Sequence, residues 1–140
     1  MSGSSKVVHT ARIRTTGGRE HGISRSPDGS LDVRLAVPGT DRIGTSPEHL
    51  FAAAWSACFE TAIALAARRR KIALPAGVTI DAEVDLNVAD GGHVLSARLN
   101  VSLPGVDPAA GRSLIDEAHQ TCPYSKATRG NIDVAIRLVE

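Results

Sequence analysis

Two cysteines, Cys58 and Cys122, are the only ones in 140 residues. Neither belongs to a Cys-x-x-Cys pair, and no histidine stands at metal-ligand spacing from them, so the pattern fits a dithiol redox pair better than a metal cage. Cys58 lies within an Ala-rich run, Phe51-Ala-Ala-Ala-Trp-Ser-Ala-Cys-Phe59. Taken alone it reads as a small buried hydrophobe; an apolar setting raises a thiol pKa and leaves it inert unless a cation stands beside it. Cys122 opens Cys-Pro-Tyr-Ser-Lys-Ala-Thr-Arg-Gly-Asn131, where a helix N-terminus is expected, and that position lowers a thiol pKa. On these grounds Cys122 is the easier thiolate, but the residues by themselves do not rank the two.

Few other side chains invite chemistry. Arg19 follows a Gly-Gly turn, an unusual place to hold a long cation, although a solvated loop arginine is the plain reading. Glu48 suits the first turn of a helix, where an anion meets the positive end of the dipole. His9, His21, His49, His93 and His119 share no spacing and read as structural or surface residues. Ser56 is not in a Gly-x-Ser-x-Gly elbow, and no glycine-rich phosphate loop occurs.

The elements that must position these residues follow from the rest of the chain. One domain, residues 1–140, is expected from the length. Hydrophobic residues make up 42% but aromatics only 3%, so the core must be aliphatic. The net charge of +1 gives no field to recruit nucleic acid or an anionic membrane. The one basic run, Arg68-Arg-Arg-Lys71, falls at a helix end, where cations complement the dipole. No stretch reaches the ~18 consecutive apolar residues of a membrane span, and Met1 to Lys6 lack the apolar core of a signal peptide. A cytoplasmic protein is expected, in which a disulfide would be transient and catalytic.

Val7 to Ile13 reads as a strand, Thr15 to Arg19 as a turn, and Gly22–Arg25 and Leu31–Val37 as short strands around Pro27-Asp-Gly29. Ser46-Pro47-Glu48 starts a long helix running to about Lys71, apolar on all sides from Leu50 to Ala67 and therefore expected to be buried all round. Val78–Val88 and His93–Leu103 form a hairpin, Asp107-Pro108 starts a second helix to about Gln120, a short helical turn runs to Thr128, and Asn131–Val139 is a final strand. The order β-β-β-α-β-β-α-β is α+β, with antiparallel sheets around a long central helix.

Several of these segments together are not anonymous. Thr16-Gly-Gly-Arg19, Ser46-Pro-Glu-His-Leu-Phe-Ala-Ala-Ala-Trp-Ser-Ala-Cys-Phe59, Leu103-Pro-Gly-Val106 and His119-Gln-Thr-Cys-Pro-Tyr-Ser-Lys-Ala-Thr-Arg-Gly-Asn-Ile132 resemble the organic hydroperoxide resistance (Ohr) branch of the Ohr/OsmC family. The likeness runs nearly end to end, and the last motif points to this branch over OsmC proper. Ser46, His49 and Lys126 stand where Asn, Gln and Asn are common, and the loop from Pro38 to Gly44 is short; these departures bear on substrate preference.

The resemblance implies an OsmC-like fold, a thiol peroxidase acting on organic hydroperoxides, no bound cofactor or metal, and a dihydrolipoyl group or lipoylated protein as external reductant. It implies Cys58 as the peroxidatic and Cys122 as the resolving cysteine, with Arg19 and Glu48 shaping the site. Phe51, Trp55 and Phe59 would form an apolar lining for greasy hydroperoxides. Glu48 and Cys58 lie ten positions apart on one helix, about 15 Å along its axis, farther than one Arg19 can bridge. A second antiparallel copy of the helix would bring them together, so an intertwined homodimer with sites mixing both chains is expected, as the resemblance also implies. The readings of another class are a non-enzymatic binder of hydrophobic ligands and a disulfide redox sensor.

Overall fold

The computed structural model describes residues 5–139. Most of the Met1–Lys6 reading therefore lies outside the described residues. The chain packs as two compact units, one ending at Pro47 and the other beginning at Glu48.

The first unit is a small antiparallel meander of β1 (Arg14–Thr16), β2 (Ile23–Arg25) and β3 (Asp32–Arg34), in the order β1-β2-β3. The strand expected over Val7 to Ile13 is corrected: these residues carry no regular structure, and the strand is the shorter segment that follows, where Thr15 meets the Ser24 hydroxyl at 2.7 Å. Between β1 and β2 the expected turn is a single helical turn, α1 (Gly18–His21). Gly17 precedes it at φ 81, and a Cβ there would lie 2.7 Å from the His21 carbonyl oxygen, so only glycine lets the chain wind up at this point. The β2–β3 turn is tied by Asp28, which accepts from the Ser30 amide and from the hydroxyls of Ser26 and Ser30, and these bonds hold its carboxyl down at about 2. Arg42 secures the loop before the long helix by donating to the Leu35 and Gly22 carbonyls at 2.7 and 2.9 Å.

The second unit holds the core. Its helix α2 (Pro47–Arg69) forms because Pro47 occupies the first turn and an alanine-rich run of strong helix formers follows. It ends in a Schellman arrangement: Lys71 takes φ 57, its amide bonds the Arg68 carbonyl, and the Ile72 amide reaches Ala67 O at 2.9 Å. By length and composition α2 could cross a membrane, yet Trp55, Phe59 and Ile63 are fully buried in the protein core. The expectation of burial on all sides needs correction for the single chain: only 33% of its most apolar 18-residue stretch is buried, and Ala53, Ala57, Ala64 and Leu65 face outward.

Strands β4 (Thr79–Ala89) and β5 (Gly92–Ser102) form the expected hairpin, closed by Asp90 and Gly91 at φ 48 and 79, the paired positive angles of a type I′ turn. α3 (Pro108–Thr121) is capped by Asp107, whose carboxylate accepts from the Ala110 amide. α4 (Pro123–Thr128) follows at once, and β6 (Asp133–Val139) completes a sheet of order β4-β5-β6. The β5–β6 pair is parallel, which corrects the purely antiparallel expectation for this sheet. Its cause is the helical crossover: α3 and α4 carry the chain back to the end where β5 began. Alternate residues of β5 (Ala97, Leu99, Val101) meet Leu114, Ile115 and Ala118 of α3 and the buried stripe of α2, giving the aliphatic core that the composition required. Glu117 of α3 ties the C-terminus of α2 by ion pairs with Arg69 and with Arg70 at 2.9 Å.

Candidate active site

Both cysteines belong to the second unit, and the fold brings them together. Cys58 lies in mid-α2, half-buried and packed against the core, while Cys122 is 0% exposed within it. Both are free thiols. Burial pushes the Cys58 thiol above its ordinary value, the neighbouring Cys122 thiol pushes it further, and the Tyr124 backbone N–H nearby pulls the other way.

Pro123 creates the second half of this contact. A residue before proline is driven out of the helical region, and Cys122 stands at φ −65, ψ 126 between two helices. Its amide closes α3 on the Ala118 carbonyl at 2.8 Å, and its carbonyl opens α4 by accepting from Lys126 at 2.9 Å. The Tyr124 amide, in the first turn of α4, has no intrahelical carbonyl to bond, and it lies near enough to Cys58 to favour that thiolate. The helix start at Cys122 therefore favours the charged form of the other cysteine.

Aromatic side chains close one flank. Phe51 stands 5.6 Å from Trp55 and 6.4 Å from Tyr124, ring centre to ring centre. Of the three aromatics expected to line a pocket, Trp55 and Phe59 are 0% exposed and only Phe51 keeps surface. Tyr124, 38% exposed, and Ser125, fully buried, were passed over as site residues, although both stand in the Cys-Pro-Tyr-Ser motif. Their signal lay in the helix start itself, which presents backbone donors two residues beyond Cys122.

Glu48 is in the first turn of α2, partly buried, on the same helix as Cys58. Arg19 is carried by α1 in the first unit. His119 precedes Cys122 by one helical turn; its Nδ1 is buried without a hydrogen-bond partner, and its carbonyl accepts from Arg129 Nη1 at 2.5 Å. Burial lowers the His119 pKa, the nearby Arg129 charge lowers it further, and Asp116 opposes them. Among the described residues no group of three or more His, Cys, Asp or Glu side chains could hold a metal.

Two free thiols in contact across a helix pair of an α+β unit define a dithiol site. Residues 39–137 match the model of the OsmC-like proteins. The chain is 44% identical to an organic hydroperoxide resistance protein of Xanthomonas axonopodis pv. citri, with 99% of each chain covered, and 40% identical to OhrA of Bacillus subtilis over 97% of this chain and 99% of that one. It superimposes on the crystal structure of OhrB of Bacillus subtilis with a TM-score of 0.89 at 37% identity, covering 95% of this chain and all of that one. The chain belongs to the OsmC-like family, in its organic hydroperoxide resistance branch.

Proposed function

We propose that this protein is a cysteine-based peroxidase that reduces organic hydroperoxides, those of fatty acids included, to alcohols. The observation that carries the reading is the thiol pair: a partly exposed Cys58 beside a sealed Cys122, with the Tyr124 backbone N–H nearby favouring the Cys58 thiolate. Its relatives' names, organic hydroperoxide resistance proteins, supply the substrate class.

The Cys58 thiolate attacks one peroxide oxygen, the O–O bond breaks, and the alkoxide leaves and takes a proton, giving an alcohol and a Cys58 sulfenic acid. The Cys122 sulfur then displaces the sulfenic hydroxyl, which departs as water with the Cys122 proton, and the disulfide forms. An external dithiol, a dihydrolipoyl group on a small molecule or a lipoylated protein, reduces it by exchange and is itself oxidised. In this scheme Arg19 stabilises the thiolate and donates to the peroxide oxygens, and Glu48 orients the guanidinium. Phe51 presents the apolar surface a substrate tail would touch.

Assembly belongs to the same reading. The outward alanines of α2 leave space for close approach of a second helix, and the ten-residue spacing of Glu48 and Cys58 calls for one. The active form is then a two-fold homodimer whose sites mix both chains, working in the cytoplasm as one folded domain per chain. Consumption of tert-butyl and fatty-acid hydroperoxide with dihydrolipoamide tests the chemistry. A protein that oxidises once and is not recycled would be a sensor, and one that consumes no peroxide a mere binder. Refolding Cys58→Ser together with Arg19→Ala tests the assembly: heterodimers regain part of the activity if sites are shared, and a fully active monomer refutes it.

A further inference from the structure

A six-residue helix is too short to stand by itself in water, so something outside α4 must fix it. Its own bonds, Thr128 Oγ1 to the Tyr124 carbonyl and the Arg129 amide to the Ser125 carbonyl, close the turn without attaching it to anything else. Arg129 at its end reaches the His119 carbonyl of α3, and the buried tie to α2 is the Trp55 indole N–H, which donates to Ser125 Oγ at 3.3 Å with both residues 0% exposed. Buried polar groups left unpaired are costly, so each of these two side chains holds the other in place.

The placement of this bond relative to the thiols is regular. Trp55 precedes Cys58 by three residues on α2, and Ser125 of α4 follows Cys122, the residue before that helix, by three. Residues three apart share a helix face, about 4.5 Å along the axis. The two helices thus cross in antiparallel sense with two links one turn apart, one the indole–hydroxyl bond and the other the thiol pair. The first link does not change when sulfur is oxidised or reduced; the second does.

We infer that the buried hydrogen bond from Trp55 to Ser125 is a register clamp, making Trp55 and Ser125 positioning residues for closure of the Cys58–Cys122 disulfide. Neither side chain takes part in the thiol exchange itself. By pinning α4 against α2, they keep Cys122 beside Cys58, so that the disulfide closes at high effective concentration. The inference rests on the thiol chemistry proposed above but concerns only the second step, which can be measured without peroxide.

The experiment equilibrates the full-length protein with reduced and oxidised dithiothreitol and reads the disulfide by alkylation and mass. Two electrons and two protons pass from the Cys58 and Cys122 thiols to oxidised dithiothreitol. Ser125→Ala should lower the equilibrium constant for disulfide formation at least tenfold, and Ser125→Thr, which keeps the hydroxyl, should restore most of it. Trp55→Phe keeps a ring and removes the N–H; it should fall as far as Ser125→Ala, and the double variant no further. Thermal unfolding of the reduced proteins separates a general loss of stability, which Ser125→Thr would not selectively reverse. Equilibrium constants within threefold of wild type for Ser125→Ala, or for Trp55→Phe if the serine variant fails to fold, overturn the inference. A wild-type protein that forms the disulfide but turns over no peroxide would sink the proposed function and leave the clamp standing; one that forms no disulfide sinks both.

Discussion

Around Cys58 the backbone is continuous: α2 runs through it for 23 residues. Around Cys122 the backbone breaks, α3 ending and α4 beginning on the same residue because Pro123 cannot continue the first helix. The accessibility is reversed with respect to that rigidity. The cysteine on the unbroken helix keeps surface, while the one at the break is sealed. A thiol that meets substrate needs an approach from outside and a fixed backbone behind it. A thiol that only meets another thiol needs neither, and the break gives it what the helix could not: a backbone amide free to serve its neighbour.

The comparison is broken most directly by exchanging the thiols' roles. Cys58→Ser is expected to abolish peroxide consumption, whereas Cys122→Ser still reduces one equivalent of peroxide and then stalls as the sulfenic acid, detectable by dimedone labelling and mass. A stable sulfenic acid on Cys122 in an active Cys58→Ser protein would reverse the assignment.

A smaller effect tests whether the surroundings of Cys58 alone are enough. Within its unit, burial and Cys122 hold this thiol in the protonated form beyond its ordinary range, against one backbone N–H. The thiolate fraction then grows with rising pH, and a nearby cation would move that growth to lower pH. Arg19→Ala is therefore expected to lower kcat/KM by ~10²–10³, the cost of one donor aimed at developing charge. Its residual rate should climb toward alkaline pH where wild type is already level. Glu48→Ala should cost less, since in the proposed scheme it acts only through Arg19. Superimposable pH–rate profiles for wild type and Arg19→Ala would take Arg19 out of the mechanism.

The smallest expected effect concerns the break itself. His119 has its pKa lowered on folding. Between that value and the ordinary imidazole one, the unfolded chain binds the proton that the folded chain refuses, so stability is present above the unfolded pKa and is lost as pH falls toward the folded one. His119→Gln should show a smaller drop in Tm between pH 7.5 and 5.5 than wild type. An unchanged drop would mean that the unpaired Nδ1 carries no linkage.

The sequence made some of this plain and hid the rest for physical reasons. The Pro47 and Asp107-Pro108 starts, the Asp90-Gly91 hairpin and the alternation of β4 and β5 are local signals, and each element stands within a residue or two of its expectation. The first strand was misplaced because a three-residue edge strand carries almost no periodicity. The parallel β5–β6 pairing was missed because alternation reveals a strand's faces but not its direction. At the site, the two cysteines were visible as types, but the neighbourhood of one amide was not. Which thiol the Tyr124 N–H lies near depends on how α4 lies against α2, and no spacing along the chain encodes that.

Trp55 is the only tryptophan in the 140 residues, and it is buried one turn from Cys58. Indole emission depends on water and on nearby quenchers, and here water is excluded while thiol and disulfide quench differently. The protein's ultraviolet fluorescence is thereby tied to a single place in the molecule. If the proposed thiol pair closes and reopens, that change can be followed optically in an unlabelled chain.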